Sequence, residues 1–216
     1  MLMNRVETAV VNSPPRRWLQ HGELHHMTRL GGPPPGGRVL EVGCGAGYGT
    51  QLIVKRFGAS RVDALDLDPA MVARARRRLR RYGDRVEVRQ GSATDLSAAL
   101  APIGGDDALY DAVFDFAILH HVPDWRAAVA EVARVLRPGG RFYFDEVTAA
   151  ALATRGYRWL FDHPRDDRFT GAEFVAELEH QGLWVGPRWR TYVREHYVLG
   201  VADRRVVGSS TARPDA

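Results

Sequence analysis

"VLEVGCGAGYGT", residues 39–50, is the stretch that decides how this chain reads. A strand-length apolar run carrying one acid, Glu41, passes into the glycines Gly43, Gly45 and Gly47 and then into "YGTQLIVKRFG", residues 48–58, which is helix-like. Glycine in a strand-to-helix turn lets a ligand approach the backbone closely. In open α/β sheets ligands bind beyond the carboxyl ends of the strands, and the first strand is the usual place. A dinucleotide fingerprint counted from Gly43 needs glycine at Tyr48, and counted from Gly45 it needs glycine at Thr50, so both counts fail. A P-loop needs a lysine after its last glycine, and none stands there. The turn admits close approach without the usual pyrophosphate grip.

Outward from the turn the pattern alternates. "RVDALDL", residues 61–67, reads as a strand. Asp68 then caps a helix with Pro69 at its first position, running on through "AMVARARRRLRRY" to Gly83. Residues 85–90 and 110–119 are a third and a fourth strand. A turn at Val122-Pro123 leads to a helix capped by Asp124 and stopped at Pro138-Gly139-Gly140, and residues 141–147 are a fifth strand. Five strands alternating with helices imply a parallel sheet covered on both faces. Thr170 and Glu173 form a capping box for the helix "GAEFVAELEHQG". The strands "LWVGPRWRTYV" and "EHYVLGVADR" then follow with almost nothing between them, which forces an antiparallel pair. The expectation is a Rossmann-like, doubly wound α/β sheet of seven strands ending in an antiparallel C-terminal hairpin. Residues 1–30 read as helical with a break near Ser13-Pro14-Pro15, "GGPPPGG" at 31–37 is a linker by composition, and 205–216 is a tail.

The composition is that of an ordinary globular domain. The chain has 216 residues, 45% hydrophobic and 26% charged, enough for one sizeable domain. No run approaches a membrane span, and the N-terminus lacks the basic-then-apolar order of a signal peptide. The single cysteine, Cys44, excludes an internal disulfide and any multi-cysteine metal site, so a cytoplasmic protein is the default expectation. Net charge is +4 and the isoelectric point about 9.6. Lys55 is the sole lysine, and the arginines are spread along the chain, which favours a biased coding preference over a nucleic-acid stripe.

With these residues in place, the chain resembles the class I S-adenosylmethionine-dependent methyltransferases, and most closely their broad group of small-molecule and quinone methylating enzymes. "EVGCGAG" looks like their glycine turn, "VDALDLDPAMVARARRRL" their second motif, "GSATDL" the stretch bordering adenine, and "YDAVFDFAILHHVPDW" and "RVLRPGGRFYF" their fourth and fifth strand motifs. The resemblance covers about residues 38–147. It implies S-adenosyl-L-methionine as cofactor, held by Glu41, Gly43, Gly45, Gly47, Asp66, Leu67, Ser92, Ala93, Asp115 and Phe116. Asp66 would accept the ribose hydroxyls, standing the expected interval of about twenty residues beyond the turn. Ser92 stands where the family usually has Asp or Asn; its hydroxyl also accepts a hydrogen bond but reaches less far. Asp95 either takes over that contact or caps the next segment. The implied organisation is an N-terminal helical lid and linker at 1–36, a cofactor-binding domain at 37–204, and a cap over the acceptor pocket at 148–169.

Methyl transfer needs a nucleophile aligned with the sulfonium methyl, and some nucleophiles also need a general base. The titratable groups expected past strands four and five are His120, His121 and Glu146, with Asp145 beside them; no metal site is expected. Arg16, Trp18 and His21 are candidates for touching ligand from the lid, and packing on the domain's flank is the equal alternative. Tyr157, Trp159, Phe161 and His163 are candidate walls of the acceptor pocket. His21 and His25 share a helix face without a carboxylate to complete a ligand set. Met71, Val72, Ala75 and Leu79 recur at helical spacing, which leaves the arginines of 74–81 outside. Three functions follow: a small-molecule methyltransferase, a nucleic-acid methyltransferase, or a non-methylating S-adenosylmethionine binder. The second lacks an adenine-methylase signature after strand four, where the chain reads "DFAI", and lacks a nucleophilic cysteine there.

Overall fold

The computed structural model describes residues 9–31, 37–101, 110–160 and 167–205. The N-terminal helix α1 (Pro14–Gly31) precedes β1 (Arg38–Val42), the short helix α2 (Tyr48–Leu52), β2 (Arg61–Asp66) and α3 (Pro69–Leu79). Then come β3 (Val86–Gln90), α4 (Leu96–Leu100), β4 (Tyr110–Phe116), α5 (Trp125–Val135) and β5 (Leu136–Val147). The remainder is α6 (Ala149–Leu152), α7 (Arg155–Leu160), α8 (Gly171–His180), β6 (Leu183–Trp184), β7 (Trp189–Tyr192) and β8 (Tyr197–Arg204).

The strands form one sheet in the order β3-β2-β1-β4-β5-β8-β6, with β7 also pairing β8. The first five are parallel, and β8 runs antiparallel to β5, β6 and β7. This is the Rossmann-like doubly wound sheet with the antiparallel end expected from the sequence. The count is eight rather than seven, because the stretch read as the sixth strand breaks at Gly186-Pro187 into β6 and β7, which pair successive parts of β8. Proline offers no N–H to a ladder and Gly186 has φ +56°, so neither continues a strand.

The strand period of two sorts the core into two layers. Leu40, Val42, Val113, Phe142 and Phe144 meet α4, α5 and α8 on one face. Val39, Val62, Ala112, Phe114 and Tyr143 meet α1 and α2 on the other, where α3 closes over Ala64 and Val88. The helix starts follow local signals: Asp68 accepts from Ala70 N–H at 2.7 Å, Asp124 from Ala127 N–H at 3.0 Å, and Thr170 with Glu173 completes the capping box. Asp95 is likewise a cap, accepting from Ala98 N–H at 3.1 Å. Among the described residues no helix is long and apolar enough to cross a membrane.

Candidate active site

A cavity of about 820 Å³ lies across the carboxyl ends of β1, β2, β4 and β5, roofed by α1. Its floor on the β1–β2 side is the glycine turn. Gly45 has φ +52°, and a Cβ there would meet nothing within 4 Å, so its bare backbone faces open space. Gly47 serves packing instead: with φ +80°, its Cβ would stand 2.8 Å from Leu79, and it brings α3 against the turn. Asp66 ties the turn to β2, one carboxylate oxygen accepting from Gly45 N–H at 2.8 Å and the other from Asp68 N–H at 2.9 Å. A carboxylate has about four acceptor sites, so these bonds leave Asp66 capacity to accept from a ligand's hydroxyl. Leu67, next in the chain, lines the cavity with an apolar side chain 46% exposed, a surface a flat heterocycle would cover. Opposite it stand Ser92, whose hydroxyl meets that of Thr94 at 2.8 Å, and Ala93.

Of the cofactor residues expected from the sequence, Glu41, Gly43, Gly45, Asp66, Leu67, Ser92, Ala93 and Phe116 line this one cavity. Gly47 and Asp115 do not. Asp115 is fully buried under the floor and accepts from Ile118 N–H at 3.1 Å. Glu41 is buried beneath the turn, bonded by the Thr50 hydroxyl, and burial pushes its carboxyl up to about 8. Burial also raises Asp66, against the backbone N–H groups of Asp68 and Gly45 that favour its charged form.

At the ends of β4 and β5 the structure joins two of the three candidate bases. Glu146 is completely buried and does not line the cavity. One of its oxygens accepts from the N–H of Ile118 at 2.8 Å and of Leu119 at 2.5 Å. The other takes Val147 N–H at 3.0 Å, His120 N–H at 3.3 Å and His120 Nδ1 at 2.7 Å. Burial works to raise Glu146, yet His120, Asp115 and the Leu119 N–H outweigh it and hold the carboxyl below its ordinary value. Burial and the neighbouring Glu146 push Asp115 well up, so Glu146 carries the charge of that pair and Asp115 the proton. His120 and His121 both line the cavity, with ring centroids 4.1 Å apart.

The N-terminal helix has both roles weighed for it. Leu24 and Met27 are buried in the flank core, while Arg16, Leu19, Gln20 and Glu23 line the cavity. Trp18 is 77% exposed and outside the cavity lining. His21 is also outside it, bonded to the Tyr48 hydroxyl at 2.9 Å. From the 148–169 stretch Tyr157 reaches the cavity, and its hydroxyl meets that of Tyr197 at 2.9 Å. Trp159 is exposed, and Phe161 and His163 lie outside the described residues. Sequence reasoning missed Glu23, Tyr192 and Tyr197, because only the folded sheet brings α1 and the β7–β8 hairpin over β5.

A doubly wound sheet whose first turn presents bare backbone, a ribose-type acid and an apolar face, with no cationic phosphate clamp, defines an S-adenosylmethionine-binding site. The comparisons agree. A family model described as "Methyltransferase domain" matches residues 39–140. The ubiquinone biosynthesis O-methyltransferase of Xanthomonas axonopodis pv. citri is 35% identical over 160 residues, 69% of this chain and 64% of that protein. A probable phthiotriol/phenolphthiotriol dimycocerosates methyltransferase 2 of Mycobacterium ulcerans is 29% identical over 204 residues, 90% of this chain and 72% of that protein. The chain thus spans somewhat less than two thirds of the first relative's length. The crystal structure of a SAM-dependent methyltransferase from Aquifex aeolicus superposes with a TM-score of 0.70 at 21% identity, covering 93% of this chain and 98% of that one. The chain belongs to the class I S-adenosylmethionine-dependent methyltransferases.

Proposed function

We propose that this chain transfers a methyl group from S-adenosylmethionine to the oxygen, nitrogen or carbon of a small-molecule acceptor. The observation that carries the reading is one continuous cavity lined both by the Gly45–Asp66–Leu67 cradle and by His120, whose ring Glu146 bonds from outside the lining. The open space over Gly45 and the cavity-lining Asp66 carboxylate fit the cofactor; Glu41, Gly43 and Phe116 border its remainder. Bound there, S-adenosylmethionine supplies a sulfonium-activated methyl group. Ser92 and Ala93 would border the adenine, and Asp66 the ribose.

The chain's own residues supply position and a base. Glu146, anionic and bonded by the 118–120 turn, accepts from His120 Nδ1–H and leaves Nε2 as the basic atom. The charge of Glu146 then stabilises the imidazolium once His120 has taken the acceptor's proton. His121 is the adjacent alternative, and Glu146 acts through His120 as a positioning residue. Residues of α1 cover this part of the cavity. The test is mass spectrometry of candidate acceptors incubated with the protein and S-adenosylmethionine. Transfer of 14 mass units that falls in Asp66→Ala at subsaturating cofactor supports the reading; tight cofactor binding without transfer to any acceptor contradicts it.

A further inference from the structure

Beyond the cofactor cradle, the β5–β8 end of the cavity is a buried carboxylate pair short of donors. Asp145, at the end of β5, is 2% exposed and faces the cavity. Among the described residues its two oxygens share one proton donor, the Tyr192 hydroxyl, at 2.7 and 3.0 Å. Glu23 comes down from α1 into the same space. One of its oxygens is bonded by Arg16, and the other is buried with no hydrogen-bond partner among the described residues. The two carboxylates stand close enough to repel, and burial together with Glu23 raises Asp145. Arg16 is the only arginine or lysine among the described cavity-lining residues. Two acids therefore face one cation, and a second cation bound between them would favour the charged form of Asp145 that burial and Glu23 oppose.

The wall beside them is aromatic. Tyr192 and Tyr197 stack with centroids 5.1 Å apart and an interplanar angle of 20°, and Tyr157 joins them through the Tyr197 hydroxyl. All three line the cavity. Aromatic faces beside buried carboxylates suit an alkylammonium, which brings up to three N–H donors and a positive charge. The same surroundings repel a carboxylate.

We propose that the acceptor of this site is an amine, its nitrogen held as an ammonium between Asp145, Glu23 and the Tyr192–Tyr197 wall. The proposal rests on the methyltransferase reading and narrows its substrate class to N-methylation. The bound ammonium gives one proton to His120. The neutral nitrogen's lone pair then forms the new N–CH3 bond while the S–CH3 bond breaks, its electron pair remaining on sulfur. The products are an N-methylammonium, S-adenosylhomocysteine and a protonated His120, which returns its proton to solvent. The cofactor carries an ammonium of its own, so the test separates the two sources.

Benzylamine, benzyl alcohol and benzoate are titrated by calorimetry into the protein saturated with S-adenosylhomocysteine, and each is assayed for methyl transfer. Benzylamine is expected to bind at least tenfold more tightly than the other two and to be the one methylated. Asp145→Asn and Glu23→Gln are each expected to weaken benzylamine about tenfold to a hundredfold while changing S-adenosylhomocysteine affinity less than threefold. Benzylamine binding no better than benzyl alcohol overturns the proposal. An equal loss of S-adenosylhomocysteine in the two variants also overturns it, because the acids then serve the cofactor's ammonium. Failure of the wild-type protein to bind S-adenosylhomocysteine at all instead defeats the underlying methyltransferase reading.

Discussion

Glu41→Gln is expected to stabilise the ligand-free protein more and more as pH rises from 5 to 7.5. Glu41 is 2% exposed, and burial lifts its carboxyl from 4.5 to about 8. The folded chain therefore keeps a proton that the unfolded chain releases between those values. Stability from this group is complete below about 4.5 and is lost as pH climbs through 8. Each pH unit inside the window costs about 1.4 kcal/mol, so from pH 5 to 7.5 the loss is about 3 kcal/mol. Glutamine has the shape of the protonated acid and cannot ionise, so the variant escapes that slope. The other buried acids titrate alike in both proteins and cancel in the comparison. Urea unfolding followed by tryptophan fluorescence at pH 5, 6, 7 and 7.5 measures the difference directly. A gap that widens by about 3 kcal/mol supports the assignment; parallel stabilities across the range would show that Glu41 is already ionised in the folded chain.

Asp66→Ala is expected to weaken S-adenosylmethionine by about 1–3 kcal/mol in calorimetry, since a charged acceptor is removed from the cradle; unchanged affinity removes Asp66 from the site. Glu146→Gln keeps the shape but not the charge opposite His120, so kcat is expected to fall about a hundredfold or more with KM for S-adenosylmethionine little changed. Equal losses in both parameters would mean that the 118–120 turn had collapsed. Val193, Arg194 and Glu195 all have left-handed φ, at +50°, +55° and +64°. Arg194→Gly is accordingly expected to raise unfolding stability by about 0.5–1 kcal/mol, and a lower midpoint in thermal unfolding would show the turn to be unstrained.

The parts of this molecule that were legible in the sequence are those whose physics is local. The strand periods, the caps at Asp68, Asp124 and Thr170, and the glycine turn with its acid at position 66 each depend on a few neighbours in the chain. Ten cofactor residues were expected, and eight meet in one cavity. Asp115 and Gly47 fell outside it because strand periodicity does not say which face of β4 points at the ligand, nor that a Gly47 side chain would strike α3. Glu146 read as one of three candidate bases, beside His120 and His121. Its five donors come from the turn at 118–120 and from Val147, and no spacing rule announces that a carboxylate will be saturated by a loop some twenty-five residues away. The Glu23–Asp145 pair was illegible for the same reason, since α1 and β5 meet only through the folded sheet. The split of the sixth strand was written in Gly186-Pro187, a signal that the apolar content of "LWVGPRWRTYV" obscured.

The most direct test of the central claim is a crystal structure of the protein grown with S-adenosylhomocysteine. The account predicts the ribose against the Asp66 carboxylate, the adenine between Leu67 and Ser92–Ala93, and the sulfur turned toward the part of the cavity lined by His120. A ligand bound anywhere other than the Gly45–Asp66 cradle, or one whose sulfur faces away from His120, contradicts it.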